Sequence, residues 1–196
     1  MPLHVSPAPA PALRSVLAAL DSPTAVREAP TPSLRSAAGP STPERPLPIH
    51  LLTPMTAGST TPARTRLTGW RFLIRSDGRT SAAADAVLTA DGWTFSRFFE
   101  GPYLASTERA LRQAESLPAA YQPRLLSVPE LYMLTLWLHT DCASDGTTDT
   151  PADSDLLIPL APAPPGIAAH HPQRVDDLLP ALSLRLATAP MLAAPA

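Results

Sequence analysis

Between Gly69 and Phe99 the chain alternates in two aromatic blocks around a block of small residues. Trp70, Phe72 and Ile74 fall on one side of an extended backbone, with Arg71, Leu73 and Arg75 on the other. That period of two marks a strand with a core face. Trp93, Phe95, Arg97 and Phe99 share a side in the second block, opposite Thr94, Ser96 and Phe98, a mixed polarity that predicts cover on both sides. Asp77-Gly78 and Asp91-Gly92 punctuate the blocks, and both central residues of a type I′ turn need positive φ, which Gly reaches freely and Asp tolerates. Ser81 to Leu88 has helical propensity. Its place between two Asp-Gly turns favours a strand, and the three runs predict an antiparallel meander.

The period changes after Gly101-Pro102. Leu104, Thr107, Glu108, Leu111, Ala114 and Glu115 recur at helical spacing, Pro102 suits a first turn, and Pro118 closes the segment. Arg124 to Val128 and Glu130 to His139 read as two strands, or as one strand bent at Pro129, since Pro cannot donate to a central ladder. Leu131 to Leu138 is apolar on both faces, the pattern of a central, buried strand. A polar loop over Cys142 to Ser154 leads to a short strand at Asp155 to Leu160, then Pro-rich coil, then helical spacing at Val175, Leu178, Leu179, Leu182 and Leu186. The expectation for residues 67–189 is an α+β domain: an antiparallel sheet, built from the meander plus two to three further strands, with two helices on one face. Residues 190–196 are expected to be a flexible tail.

Of the 26 prolines, 13 precede Leu67, whereas Leu67 to Thr150 holds only Pro102, Pro118, Pro123 and Pro129. Each Pro removes a donor and restricts its predecessor. Residues 1–66 are therefore expected to form a largely disordered Pro/Ala/Ser/Thr-rich arm. Leu13, Val16, Leu17 and Leu20 interrupt it at i, i+3, i+4 and i+7, placing four aliphatics on one face of a short helix over residues 12–21. A helix this short needs a surface to form against. It is either a docking peptide for a partner's groove or a helix that packs on its own domain. Ile49 to Leu52 is a second apolar patch, an edge strand or a linker.

Composition removes several functions. All 15 basic residues are Arg, and Lys and Asn are both absent, the codon signature of a GC-rich, bacterial genome. Without Lys there is no Schiff-base or pyridoxal-phosphate chemistry, no Walker-type phosphate loop and no kinase strand Lys. No two of the 8 glycines are spaced as G-x-G, so the dinucleotide fingerprint is missing. The single Cys142 forms no internal disulfide and fits a reducing compartment. With no signal-like h-region and no apolar run near membrane length, a cytoplasmic protein is expected.

His139-Thr140-Asp141-Cys142 collects possible metal ligands, but on a strand His139 and Asp141 point one way and Cys142 the other, so a metal site needs a third ligand from His170 or His171. His139 is also a candidate general base, oriented by Asp141 or Asp155, although no nucleophile elbow identifies a serine. Arg64, Arg66, Arg71, Arg75 and Arg79 make a basic run, but Arg71 and Arg75 lie opposite the aromatic face and the pI is about 6.2, which argues against nucleic acid. Glu100 sits where strand meets helix, a structural position for a carboxylate. No cofactor is expected. The reading that follows is a non-catalytic protein-binding adaptor or accessory subunit, docking through its arm (Leu13, Val16, Leu17, Leu20) or its sheet. The alternatives are a small hydrolase or metal-dependent enzyme using His139 and Asp141, and a small-molecule pocket between the sheet and the helix from Pro102 to Leu117.

Overall fold

The computed structural model of the chain describes residues 3–53, 64–147 and 150–188. Among the described residues the elements run α1 (Ala10–Leu20), α2 (Pro23–Glu28), α3 (Pro32–Arg35), β1 (Thr42–Leu52), β2 (Thr65–Ser76), β3 (Arg79–Thr89), β4 (Gly92–Phe99), α4 (Pro102–Glu115), β5 (Gln122–Val128), β6 (Met133–His139), β7 (Leu156–Pro159), β8 (Gln173–Arg174) and α5 (Val175–Thr188). The fold is α+β, with all eight strands in one sheet ordered β4-β3-β2-β1-β5-β6-β7-β8. It is mixed and not antiparallel throughout, because β1 and β5 run parallel. That pair arises from the connection: α4 carries the chain from the β4 edge back past β1 before β5 begins.

The strands β2, β3 and β4 pair consecutively and antiparallel. At the first turn Asp77 (φ 51) and Gly78 (φ 78) are both left-handed, as a type I′ turn demands. The second differs. Thr89 pairs with Gly92 across Ala90-Asp91, and of these only Gly92 takes a positive φ, 110. Gly69 of β2 is required by closeness, since a Cβ there would lie 2.6 Å from the Ala86 carbonyl oxygen. The expected central strand also starts later than its apolar run. Pro129–Leu131 is a 3-10 turn, Tyr132 is left-handed (φ 49), and β6 begins at Met133.

Helices cover both faces of the sheet, correcting the single-face expectation. One core joins α4 to Leu73, Leu125, Leu134, Leu136 and Leu138. On the opposite face α1 and α3 cover Trp70, Phe72, Ile74 and Phe98, and α5 covers Leu126, Val128 and Trp137. Both sides of the β2 and β6 alternation are therefore used. Each fully buried large apolar side chain contributes about 1.5–3 kcal/mol.

The largely disordered arm is likewise corrected: residues 10–52 supply three helices and a strand inside the sheet. Proline does not break these elements because of where it falls. Pro23, Pro32 and Pro102 each open a helix, where the missing donor has no partner to lose. In β1, Pro43 and Pro48 pair with β2 alone, and pairing with β5 is confined to Ile49–Leu51. Proline thus occupies the half of β1 that is laddered on one side. The tail expected at 190–196 lies outside the described residues.

Candidate functional site

Two places collect chemically able side chains. The first is a buried polar cluster at the Gln122/His139 end of β5 and β6. On β6, Leu134, Leu136 and Leu138 face α4, so alternation turns Trp137 and His139 to the other side. Asp155, just before β7, is fully buried there. It accepts from Trp137 Nε1 (2.7 Å), His139 Nδ1 (2.8 Å), Thr140 N and Oγ1 (2.9 Å each) and Ala152 N (3.0 Å). Burial pushes its carboxyl up, but the bonds from His139, Thr140, Trp137 and Ala152 outweigh that and hold it below the usual carboxylate value. A carboxylate only accepts, so Nδ1 of His139 carries the hydrogen of their bond.

Beside this pair Arg124 is also fully buried. Its guanidinium stacks 4.8 Å from the Trp137 ring, and donates to Gln122 Oε1 (2.8 Å) and Ser144 Oγ (2.9 Å). Burial lowers Arg124 to about 10, against the attraction of Asp155, Asp145 and Asp141; it remains a cation at neutral pH. His50 of β1 donates from Nε2 to the Gly146 carbonyl (3.0 Å) and meets Thr65 Oγ1 at 3.1 Å through Nδ1. Gln122 Nε2 donates to the Ser144 carbonyl. Together these side chains fasten the loop at 141–147 over the sheet.

The second place lies on the α4 face, toward the opposite end of the same strands. A groove of about 900 Å³ is floored by Arg71, Phe99, Ser127 and Leu134, and walled by Tyr103, Leu131, Tyr132 and the turn at Pro162–Pro165. Its ionic base is sealed. Arg71 makes a two-pronged pair with Asp85 (2.8 and 3.0 Å), both residues buried, and stacks 4.4 Å from the Phe99 ring. Arg97 adds a looser 3.7 Å contact to Asp85 and is mostly exposed. Tyr103 Oη lies within donating distance of the carbonyls of Tyr132 (2.7 Å) and Pro162 (3.0 Å), joining both walls. Burial raises its pKa, which keeps the hydroxyl a donor.

The far wall is strapped to α4. Ser106 Oγ accepts from Ala161 N (2.7 Å) and lies 3.2 Å from His170 Nε2, while Gln113 donates to the His170 carbonyl (3.1 Å). Burial, with Arg109 nearby, lowers the His170 pKa. Tyr132 projects from the rim at 89% exposure.

The expected His139–Asp141 pair is not formed. Asp141 is exposed and accepts from Ala143 N (3.0 Å), while Asp155, the other orienting candidate, holds His139. His170 serves the α4 face, opposite His139, and His171 is exposed; no group of three or more His, Cys, Asp or Glu among the described residues is arranged to hold a metal. His139 with Asp155 has the form of an oriented base. Among the described residues no hydroxyl hydrogen-bonds to its Nε2. Glu100 caps α3 from afar, accepting from Ser33 N (2.7 Å) and Leu34 N (3.3 Å). The docking helix is already docked: Val16 is fully buried, Leu13 and Leu20 are half-buried against β3 and β4, and Leu17 is 40% exposed. Its buried line is Ala12, Val16 and Ala19, one position off the aliphatic stripe.

Comparison with protein-family models, with curated proteins and with solved structures gives no match. No helix among the described residues is long and apolar enough to cross a membrane. Of the helix from Pro102 to Leu117, beside which the sequence offers a small-molecule pocket as an alternative, only Tyr103 lines this groove, and its exposed rim residue is not legible in the sequence. Tyr132 was absorbed into an apolar run, and the one signal against that was Pro129 three residues earlier.

Proposed function

We propose that this protein is a non-catalytic binding module that engages an extended apolar segment of a protein partner in the groove between the sheet and the start of α4. The observation that carries this reading is the combination of an apolar, solvent-open trough with a base in which buried Arg71 and Asp85 satisfy one another. Phe99, Leu131, Leu134 and the prolines of 162–165 offer surface without a residual polar demand, and Tyr132 stands ready to lie across an occupant. Aromatic-lined troughs suit extended peptides, and proline-rich ones, already in the polyproline II conformation, enter at the lowest entropic cost. A trough this open would leave much of a small ligand in water, which favours a chain over an enclosed small molecule.

The test is selection of displayed peptides on the full chain, followed by rebinding to Tyr132→Asp and Leu131→Asp variants. Selected peptides rich in apolar residues should lose about tenfold or more in affinity on either change. Peptides that bind wild type and both variants equally would remove the groove from consideration.

A further inference from the structure

The free edge of the sheet is self-complementary, and we propose that β4 pairs antiparallel with β4 of a second copy of this chain, making a two-fold dimer with one continuous sheet. Among the described residues β4 is an end strand with no neighbour beyond β3, and its outer backbone groups make no backbone hydrogen bond to any of them. Exposed strand edges are normally blunted by Lys, Pro or inward charges. The run Gly92-Trp93-Thr94-Phe95-Ser96-Arg97-Phe98-Phe99 has no Pro, and its one charge, Arg97, and its one bulge, Ser96, which has no partner on β3, both lie past Phe95, leaving Gly92 to Phe95 regular.

Antiparallel pairing centred on Thr94 sets the two Thr94 side chains opposite each other. Trp93 then faces Phe95 of the other copy, twice, and Gly92 faces the bulged Ser96. Trp93 and Phe95 both belong to the α1 side of the sheet, so the aromatics meet on one face. At each end exposed Asp91 lies level with exposed Arg97 of the other strand, whose side chain leaves from the α4 side beside Asp85. Opposed threonines, aromatic pairs and opposite charges are the cross-strand combinations that stabilise a ladder. Placing the strands parallel would instead bring like charges together.

The geometry also accounts for Leu17. A two-fold axis perpendicular to the sheet keeps like faces on the same side, so the two α1 helices, each packed over β3 and β4, become neighbours. Leu17 is 40% exposed on α1, and Leu88, at the β3 end of the same hairpin, is 53% exposed. The contact between helices supplies burial that a single strand pairing of about 23 Å, at about 3.3 Å per residue, would lack.

Sedimentation or light scattering of the full chain should give twice the 20.7 kDa chain mass. Thr94→Arg, which opposes two cations on the axis, should give monomer with an unchanged far-UV spectrum. Asp91→Arg should weaken the dimer about tenfold, and Asp91→Arg with Arg97→Asp should restore it. With Cys142→Ser in place, Thr94→Cys should form an intermolecular disulfide on mild oxidation, since directly opposed positions lie within bridging range; Ser96→Cys should not. A wild-type monomer at every concentration, or a dimer that survives Thr94→Arg, would overturn the proposal. Tyr132→Asp tests the groove without touching this edge, so the two readings fail separately.

Discussion

The Asp155 cluster and the groove beside Phe99 sit on opposite faces and toward opposite ends of β5 and β6, and each contains a buried carboxylate held by donors. At Asp155 the polar groups reach upward to the loop at 141–147 and hold it closed. At Arg71–Asp85 they turn on one another, and nothing among the described residues lies over the apolar surface beside them except the groove walls. The comparison teaches that two buried carboxylates can be used differently: Asp155 holds His139 in the network that fastens the loop at 141–147, while Asp85 satisfies Arg71 beneath apolar residues left with open surface.

That contrast can be broken most forcefully at its closed end. Asp155→Ala should cost about 3–5 kcal/mol, since it removes the acceptor of the buried Trp137 and His139 donors and of the Thr140 and Ala152 amides, at about 1–3 kcal/mol for each buried group left unsatisfied; denaturant unfolding measures it, and amide exchange at Gly146 and Thr147 should accelerate. Arg71→Met tests the ionic base of the groove. It leaves Asp85 buried, but Arg97 at 3.7 Å can swing in, so the loss should be smaller, about 1–3 kcal/mol.

Acid sharpens the same distinction. A carboxyl held below its unfolded value of about 3.9 stabilises the fold fully above that pH, and the contribution fades as pH falls through the folded value. The native state binds fewer protons than the unfolded chain in that window, so stability must drop with pH. Thermal midpoints measured from neutral pH downward should therefore fall below about pH 4 in wild type, and fall less steeply in Asp155→Asn. The smallest effect on stability is expected at the groove rim. Tyr132→Ala should change unfolding by no more than about 0.5 kcal/mol, yet weaken peptide binding; a marked loss of stability would mean that Tyr132 is structural.

Much of the fold could be read along the chain where a side chain's role is set by its neighbours in sequence. The alternation Trp70, Phe72, Ile74, the turn at Asp77-Gly78 and the helix opened by Pro102 all rest on local geometry, and all are present. Residues 10–52 depart from the expected disorder for an equally local reason. Proline's missing donor is a cost inside an element, but Pro23 and Pro32 each begin a helix, and Pro43 and Pro48 lie on the half of β1 that is laddered on one side. The Leu13–Leu20 stripe was seen, but the line buried on the sheet is Ala12, Val16 and Ala19, because small residues let the helix approach.

Local periodicity by itself determined that this chain holds a meander, an amphipathic α4 and a doubly apolar β6, since period and turn chemistry act over a few residues. Tertiary structure alone decided that β1 sits between β2 and β5, that helices cover both faces, and which of the two candidate carboxylates His139 meets: Asp155, 16 residues away, and not Asp141, two residues away. Those outcomes depend on which segments meet across the sheet. Pairing over such separations is fixed by the packing of the whole, and no short stretch of sequence carries it.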